Sequence, residues 1–195
     1  MSKPAIVNAG AGERERVVST LMVAFASDPV ARWVLPEPHQ YVKYWEPILE
    51  HMGGGAFANG GAFASDDFAG ASLWLAPGVH PDGEALGAVA AQAVPVERQE
   101  VVFGFLGQMD EYHPTEPHWY LPFIGVDPMK QGLGYGSALL IHALKNADRD
   151  KLPAYLEATS PGSKRLYERH GFEAIGEIQS ADSPPMWPML RRVGS

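Results

Sequence analysis

The chain predicts an α/β fold in a single domain, residues 1–195, with helices flanking one mixed sheet of about six to seven strands. Three observations predict it. Segments rich in β-branched and aromatic residues alternate with segments of helical period along the whole length. The stretch from His118 to His142, HWYLPFIGVDPMKQGLGYGSALLIH, sets a strand, a glycine turn and a helix end to end. No internal repeat, low-complexity tract or linker divides the chain.

Taken in order, Ala5-Ile6-Val7 is a short first strand. From Glu13 to Ala26, Val17, Val18, Leu21, Met22 and Phe25 share one helical face, with Glu13 and Glu15 in the first turn, and Ser27-Asp28-Pro29 stops the helix. Pro29, Pro36 and Pro38 make residues 29–40 a loop or broken helix around Arg32, Trp33 and Val34. Trp33 is there either a lid over a pocket or a core anchor. Tyr41, Tyr44, Trp45, Ile48, Leu49 and Met52 recur at helical spacing, and Pro47 should kink that helix or mark its effective start. Glycines 53–55 and 60–61 read as a loose connection. Ala62 to Ser65 and Ala71 to Ala76 are strands about a turn at residues 66–70.

Glu84 to Val94 is a helix stopped by Pro95, and Val102, Phe105, Leu106 and Met109 mark another from about Glu97 to Glu111. The extended loop His113 to Pro117 feeds the central strand, where Trp119, Tyr120, Phe123, Ile124 and Val126 are good strand formers. Pro122 inside that strand requires a bulge or an edge, because proline has no N–H for the ladder. After the helix that follows the glycines, Ala154 to Ala158 is a strand, Ser163 to His170 a short helix closed by Gly171, and Phe172 to Ile178 a strand. Residues 186–190 read as a final edge strand.

Composition narrows the function classes. Hydrophobic content of 46% and charged content of 19% describe a globular chain. A net charge of −8 argues against nucleic acid and against an anionic membrane surface, and is compatible with a cationic acceptor such as an amine. The absence of cysteine excludes disulfides, cysteine zinc sites and a cysteine nucleophile. The histidines show no H-x-x-x-H or carboxylate spacing, so no metal site is expected. Met1-Ser2-Lys3-Pro4 is not followed by an apolar core of signal-peptide length, and no run approaches the ~20 apolar residues of a membrane span. A cytoplasmic monomer or homodimer is expected.

The glycine string carries the chemistry. Backbone N–H groups at a helix start aim at whatever sits before them, and such a place binds phosphate. The spacing is not that of a nucleotide P-loop, since no lysine follows, nor of a dinucleotide fingerprint, whose third glycine comes one residue later. Gln131-Gly132-Leu133-Gly134-Tyr135-Gly136 does match Q/R-x-x-G-x-G/A. In that string the chain resembles the GCN5-related N-acetyltransferase (GNAT) superfamily, in which this loop takes a pyrophosphate. A second string, SKRLYERHGFEAIGE (residues 163–177), resembles the family's N-x-x-x-Y-x-x-x-G-F segment through Tyr167, Gly171 and Phe172, with Ser163 where asparagine is common. The proline-rich HPTEPHWYLPFIGVDP stretch and the LEATS string are most similar to the puromycin N-acetyltransferase-like branch. The likeness spans most of the chain and is strongest from residue 113 onward.

The resemblance implies a twisted sheet whose two central parallel strands splay, with a bulge matching Pro122. It implies acetyl-CoA as the donor and direct transfer of the acetyl group to a primary amine of a small molecule. Gln131, Gly132, Leu133, Gly134, Tyr135, Gly136 and Ser137 would take the pyrophosphate, and the backbone of Ile124, Gly125 and Val126 would pair with pantetheine as a strand would. The N–H of Ile124 or Val126 could polarise the thioester carbonyl. Ser163 could hydrogen-bond a pantetheine amide with fewer donors than asparagine. Tyr167 matches the family's general acid; otherwise it is a packed aromatic whose hydroxyl caps a backbone group. Glu157 matches a general base, direct or through water; otherwise it is an ion-paired strand-end glutamate. His118 and Tyr120 are further base candidates. Trp33, Trp74, His118 and Tyr120 would contact the acceptor. A non-enzymatic acyl-CoA sensor, or a protein N-acetyltransferase, is the alternative, and Ser163 is the departure that points to the sensor.

Overall fold

Around strand β4, Trp119–Val126, the computed structural model, which describes residues 4–194, arranges every other layer. Residues 1–3, part of the stretch read above for a signal sequence, lie outside the described residues. Four strands precede or include the centre: β1 (Ile6–Asn8), β2 (Ala62–Ser65), β3 (Gly70–Leu75) and β4; three follow: β5 (Ala154–Ala158), β6 (Glu173–Ala174) and β7 (Trp187–Arg191). They form one seven-stranded sheet in the order β1-β2-β3-β4-β5-β7-β6. Among the described residues only β4 and β5 run parallel, so the sheet is mixed. The last strand is not an edge: β7 lies between β5 and β6 and pairs antiparallel with both, while the much shorter β6 takes the rim. Beyond Ala174 the expected strand continues as a single bond, Ile175 N–H to Pro188 O at 2.9 Å, and an isolated bridge from Ile178 to Met186.

The helices are α1 (Arg14–Phe25), α2 (Pro29–Val34), α3 (Pro38–Gly53), α4 (Gly55–Ala58), α5 (Gly83–Ala93), α6 (Val96–Tyr112), α7 (Tyr135–Asp150) and α8 (Pro161–Glu168). The stretch expected as a loop or broken helix resolves into α2, capped by the Asp28 carboxylate, which accepts from the N–H groups of Val30 and Ala31. Helix α3 runs through Pro47 and starts at Pro38, where the missing N–H costs nothing. The glycine connection between α3 and β2 contains α4, a single turn.

Two cores lie against the sheet. Leu21, Tyr41, Trp45 and Leu49 of α1 and α3 pack with Leu73, Leu75, Tyr120 and Phe123. Leu139, Leu140 and Leu144 of α7 pack with Phe63, Trp74, Trp119, Leu121 and Leu156. A smaller third cluster joins Phe105 and Leu106 of α6 to Trp33 of α2 and to Ile178 and Met186. No helix among the described residues is long and apolar enough to cross a membrane.

Candidate active site

The slot begins where the β4–β5 ladder stops. Its rungs are Trp119↔Ala154, Tyr120↔Tyr155 and Leu121↔Leu156, and none follows. Pro122 comes next and has no N–H to donate. On the other edge, Leu73 to Leu75 of β3 span Tyr120 to Phe123 of β4, one extra residue. That is the bulge the proline requires, and it turns Tyr120 and Phe123 to the same core although they are three apart. Past it β4 stays zipped to β3, from Leu73↔Phe123 to Gly70↔Val126, while β5 stays zipped to β7 as far as Ala158↔Trp187. The two strands therefore splay.

The backbone sense of the slot follows from one bond. Asp127 N–H donates to Ala69 O at 2.8 Å, toward β3. Alternation along a strand then turns the N–H groups of Val126 and Ile124 the other way, into the slot. Gln131 Nε2 reaches back to Val126 O at 3.4 Å. Gly125 has a different duty: a Cβ there would come within 2.5 Å of Ala24 Cβ, so α1 seals this face of β4 only because the residue is glycine.

At the mouth of the slot sits the glycine turn. Gly132 and Gly134 adopt φ of +76° and +92°, which a side chain would strain. Gly134 is the N-cap of α7, and Gly134 O accepts the N–H of Ala138 at 3.0 Å. The N–H groups of the first turn lack intrahelical acceptors. Gly136 also serves packing: a Cβ there would stand 3.1 Å from Leu166 Cδ2 of α8. Tyr135 leans away, its hydroxyl donating to Asp67 Oδ2 at 2.8 Å, and Ser137 Oγ lies 2.6 Å from His170 Nε2. Burial, then Arg169 and Arg191, lower the His170 pKa. Leu133 is exposed at the tip.

Glu157 stands on β5 one residue beyond the last rung. Tyr120 Oη donates to its Oε2 at 3.0 Å, whereas Oε1 is sealed from solvent with no hydrogen-bond partner among the described residues. Burial pushes the carboxyl up to about 7, against the pull of the Tyr120 and Tyr155 hydroxyls beside it. Glu157 is therefore not the ion-paired strand end that sequence allowed. Tyr155 is fully buried, and its hydroxyl stays outside hydrogen-bonding geometry. Burial, then the Glu157 charge, keep both tyrosines protonated well above the ordinary phenol range.

Tyr167, on α8, packs its ring 6.0 Å from Phe172, and no hydrogen bond from its hydroxyl is formed among the described residues. Burial, then the charges of Asp28 and Glu157, raise its pKa. Asp28 is the neighbour that sequence reasoning missed. It read as a helix stop, which it is, but its Oδ2 also accepts the hydroxyl of Thr159 just past β5, and burial raises its pKa. The Asp-Pro start of α2 was the available signal for the cap; nothing local announced the long-range partner.

The remaining expected residues fall elsewhere. Trp74 is 1% exposed, in the core beneath α7, so it cannot contact an acceptor. Strand alternation permits either face, and both faces of β3 are buried: Leu73 and Leu75 lie in one core and Trp74 in the other. Ser163 spends its hydroxyl in the α8 cap, donating to Ser160 O and accepting from Ser160 N–H. Trp33 is half-buried on Phe105, with its Nε1–H on Asp182 Oδ1 at 3.1 Å, which anchors it in the third cluster. His118 lies at the closed end of the ladder, its Nε2 3.1 Å from His113 Nε2, and His113 is pushed down to about 4 by burial first and by His118 next. No group of three or more potential metal ligands occurs among the described residues.

Comparison with known proteins agrees with this fold. An uncharacterized N-acetyltransferase of Schizosaccharomyces pombe is 26% identical, over 93% of this chain and 80% of its own length. A crystal structure described as histone acetyltransferase HPA2 and related acetyltransferase, from Corynebacterium glutamicum, superposes with a TM-score of 0.71 at 25% identity, covering 100% of this chain and 98% of that one. Arylalkylamine N-acetyltransferase 2 from Aedes aegypti shares the fold, with a TM-score of 0.67 at 14% identity over 99% of this chain and 100% of its own. Residues 32–172 match the Acetyltransferase (GNAT) family, and the chain belongs to that family of acyltransferase enzymes.

Proposed function

We propose that the protein transfers the acetyl group of acetyl-CoA directly to a primary amine of a small molecule. The observation that carries this reading is the Glu157 carboxyl, buried at the fork of β4 and β5 with one oxygen held by Tyr120 and the other without a partner among the described residues.

The residues present suit acetyl-CoA. Gly132 and Gly134 adopt the turn that lets a diphosphate approach the first N–H groups of α7. The backbone edge of Ile124 and Val126 suits the amides of pantetheine and can polarise a carbonyl oxygen. Bound there, acetyl-CoA supplies an activated acyl carbon and a thiolate leaving group. Glu157 takes the proton of the attacking amine; the new N–C bond forms as the C–S bond breaks; Tyr167 gives its proton to the sulfur. The two residues assist each other. While Glu157 is ionised its charge holds the proton on Tyr167. Once Glu157 has taken the amine proton that charge is gone, and Tyr167 becomes the stronger acid at the moment the thiolate leaves.

The acceptor side is acidic. Asp110 of α6 adds its charge to those acting on Glu157, Tyr120 and Tyr155, and Asp28 acts on Tyr167. Such a field favours a cationic amine over an anionic one. The amine class is also the one named for the Aedes aegypti neighbour, although at that identity the likeness concerns the fold. The test is release of free thiol from acetyl-CoA across a panel of amines. Amine-dependent release that Glu157→Gln abolishes is expected. Tight CoA binding with no release across the panel would favour the sensor alternative.

A further inference from the structure

The second half of α7 overlooks a cavity of about 490 Å³ that the acetyl-transfer site does not use. His142, Lys145, Asn146 and Arg149 line it at helical spacing, on one face of the helix. Asn8 of β1 and Asn59 ahead of β2 form the facing wall. The buried rings of Phe63 and Trp119 lie behind. His142 sits roughly 10 Å along the helix axis from the glycine turn.

No carboxylate lines this cavity, in a chain whose net charge is −8. Asp150, beside the lining residues, is already held by Arg149 and by Trp119 Nε1 at 3.0 Å. Arg149 Nη1 donates to Asn146 Oδ1 at 3.0 Å, which fixes the fork beside the opening. Lys145 makes no ion pair among the described residues. His142 stands edge-on to Phe63 at 5.0 Å, wedged against an aromatic wall. Two permanent cations, an imidazole and carboxamides thus converge on a space of ligand size.

We propose that this cavity is a binding site for a small phosphate-bearing ligand, separate from the acetyl-CoA slot. A phosphate brings two negative charges and several acceptor oxygens, which this set of donors can satisfy together and which a neutral ligand would leave unpaired. The inference stands on the cavity alone and does not depend on the assignment of Glu157 or Tyr167. His142 supplies the readout: burial first and Lys145 next hold its pKa below the ordinary value, and an anion between them opposes the second effect and raises it.

The experiment titrates inorganic phosphate into the whole protein at constant ionic strength set by sodium chloride. The imidazole signals of His142 are followed by NMR and assigned by their loss in His142→Gln. A saturable shift with an upward movement of the His142 pKa is expected. Affinity should fall at least tenfold in Lys145→Ala combined with Arg149→Ala, both exposed side chains, and stay unchanged in Gly134→Val. Should the double variant unfold, Lys145→Gln alone must still weaken binding several-fold. A response equal to that of chloride, or one kept by the double variant and lost in Gly134→Val, would overturn the proposal.

Discussion

Tyr120 and Glu157 meet across the end of the β4–β5 ladder, the phenol of one strand donating to the carboxylate of the next at 3.0 Å. This bond stabilises the ionised carboxylate and so works against the burial that lifts Glu157 to about 7. If Glu157 is the base, kcat/KM for the amine climbs through pH ~7 as the carboxylate forms. Tyr120→Phe deletes the donor and keeps the ring, so the acidic limb moves to higher pH. A pH–rate profile of the two proteins under saturating acetyl-CoA checks this; an unmoved limb would assign it to another group.

The same shift appears in stability. The folded state holds the Glu157 proton more tightly than an ordinary glutamate, whose value is near 4.5. The stabilisation from that proton is complete below 4.5 and disappears as pH rises through about 7. At pH 8 the fold carries an ionised, buried carboxylate, which glutamine replaces with a neutral amide. Glu157→Gln should raise Tm at pH 8 and leave it nearly unchanged at pH 5, at roughly 2–4 °C per kcal/mol for a chain of this size.

Tyr167→Phe tests the proton donor. Removing a general acid typically costs ~10²–10⁴-fold, and phenylalanine keeps the packing on Phe172, so kcat should fall far more than the KM for acetyl-CoA changes. A free thiol near pKa ~8.5 is a weak match for a phenol of about 10, and burial widens the gap. The deficit should therefore shrink with an acyl donor whose thiol is more acidic. Near-normal kcat with chemistry rate-limiting would remove Tyr167 from the mechanism.

The glycines separate into two kinds. Gly134→Val forces a β-branched residue to a φ of +92° in the turn before α7 and should weaken CoA binding at least tenfold, measured by calorimetry. Gly136→Val instead drives side-chain atoms into Leu166, so it should lower Tm as well as affinity.

For the tryptophans the expected outcomes are opposite. Trp74→Ala empties a fully buried site and should cost about 3–5 kcal/mol in denaturant unfolding, with little selective effect on either substrate. Trp33→Ala unpins α2 from Asp182 and from Phe105, and should raise the amine KM while sparing that of acetyl-CoA.

Sequence revealed the elements better than their partners. The Pro122 bulge, the glycine turn and the seven strands follow from local constraints: a missing N–H, a positive φ, an alternation of apolar residues. What did not follow is register. Tyr120 meets Glu157 because Tyr120 faces Tyr155 in the ladder, and three rungs of parallel pairing leave no mark in composition. Trp74 could face either side of β3. Ser163 matched a motif position, yet the Ser160–Ser163 pair forms a cap, a local bond that competes with any ligand for the hydroxyl. The Asp28–Thr159 contact joins residues far apart in the chain, which no window could join.

Strand β7 carries an obligation about timing. It fills a gap between β5 and β6, both of which precede it in the chain, so the sheet cannot close by adding strands outward in order of synthesis. Until Trp187–Arg191 is made, the β5 edge bearing Glu157 has no neighbour on that side, and such an edge is a template for another nascent chain. Chains released before Trp187 should associate through β5, and a peptide of residues 186–192 added in trans should suppress that association by taking the empty place.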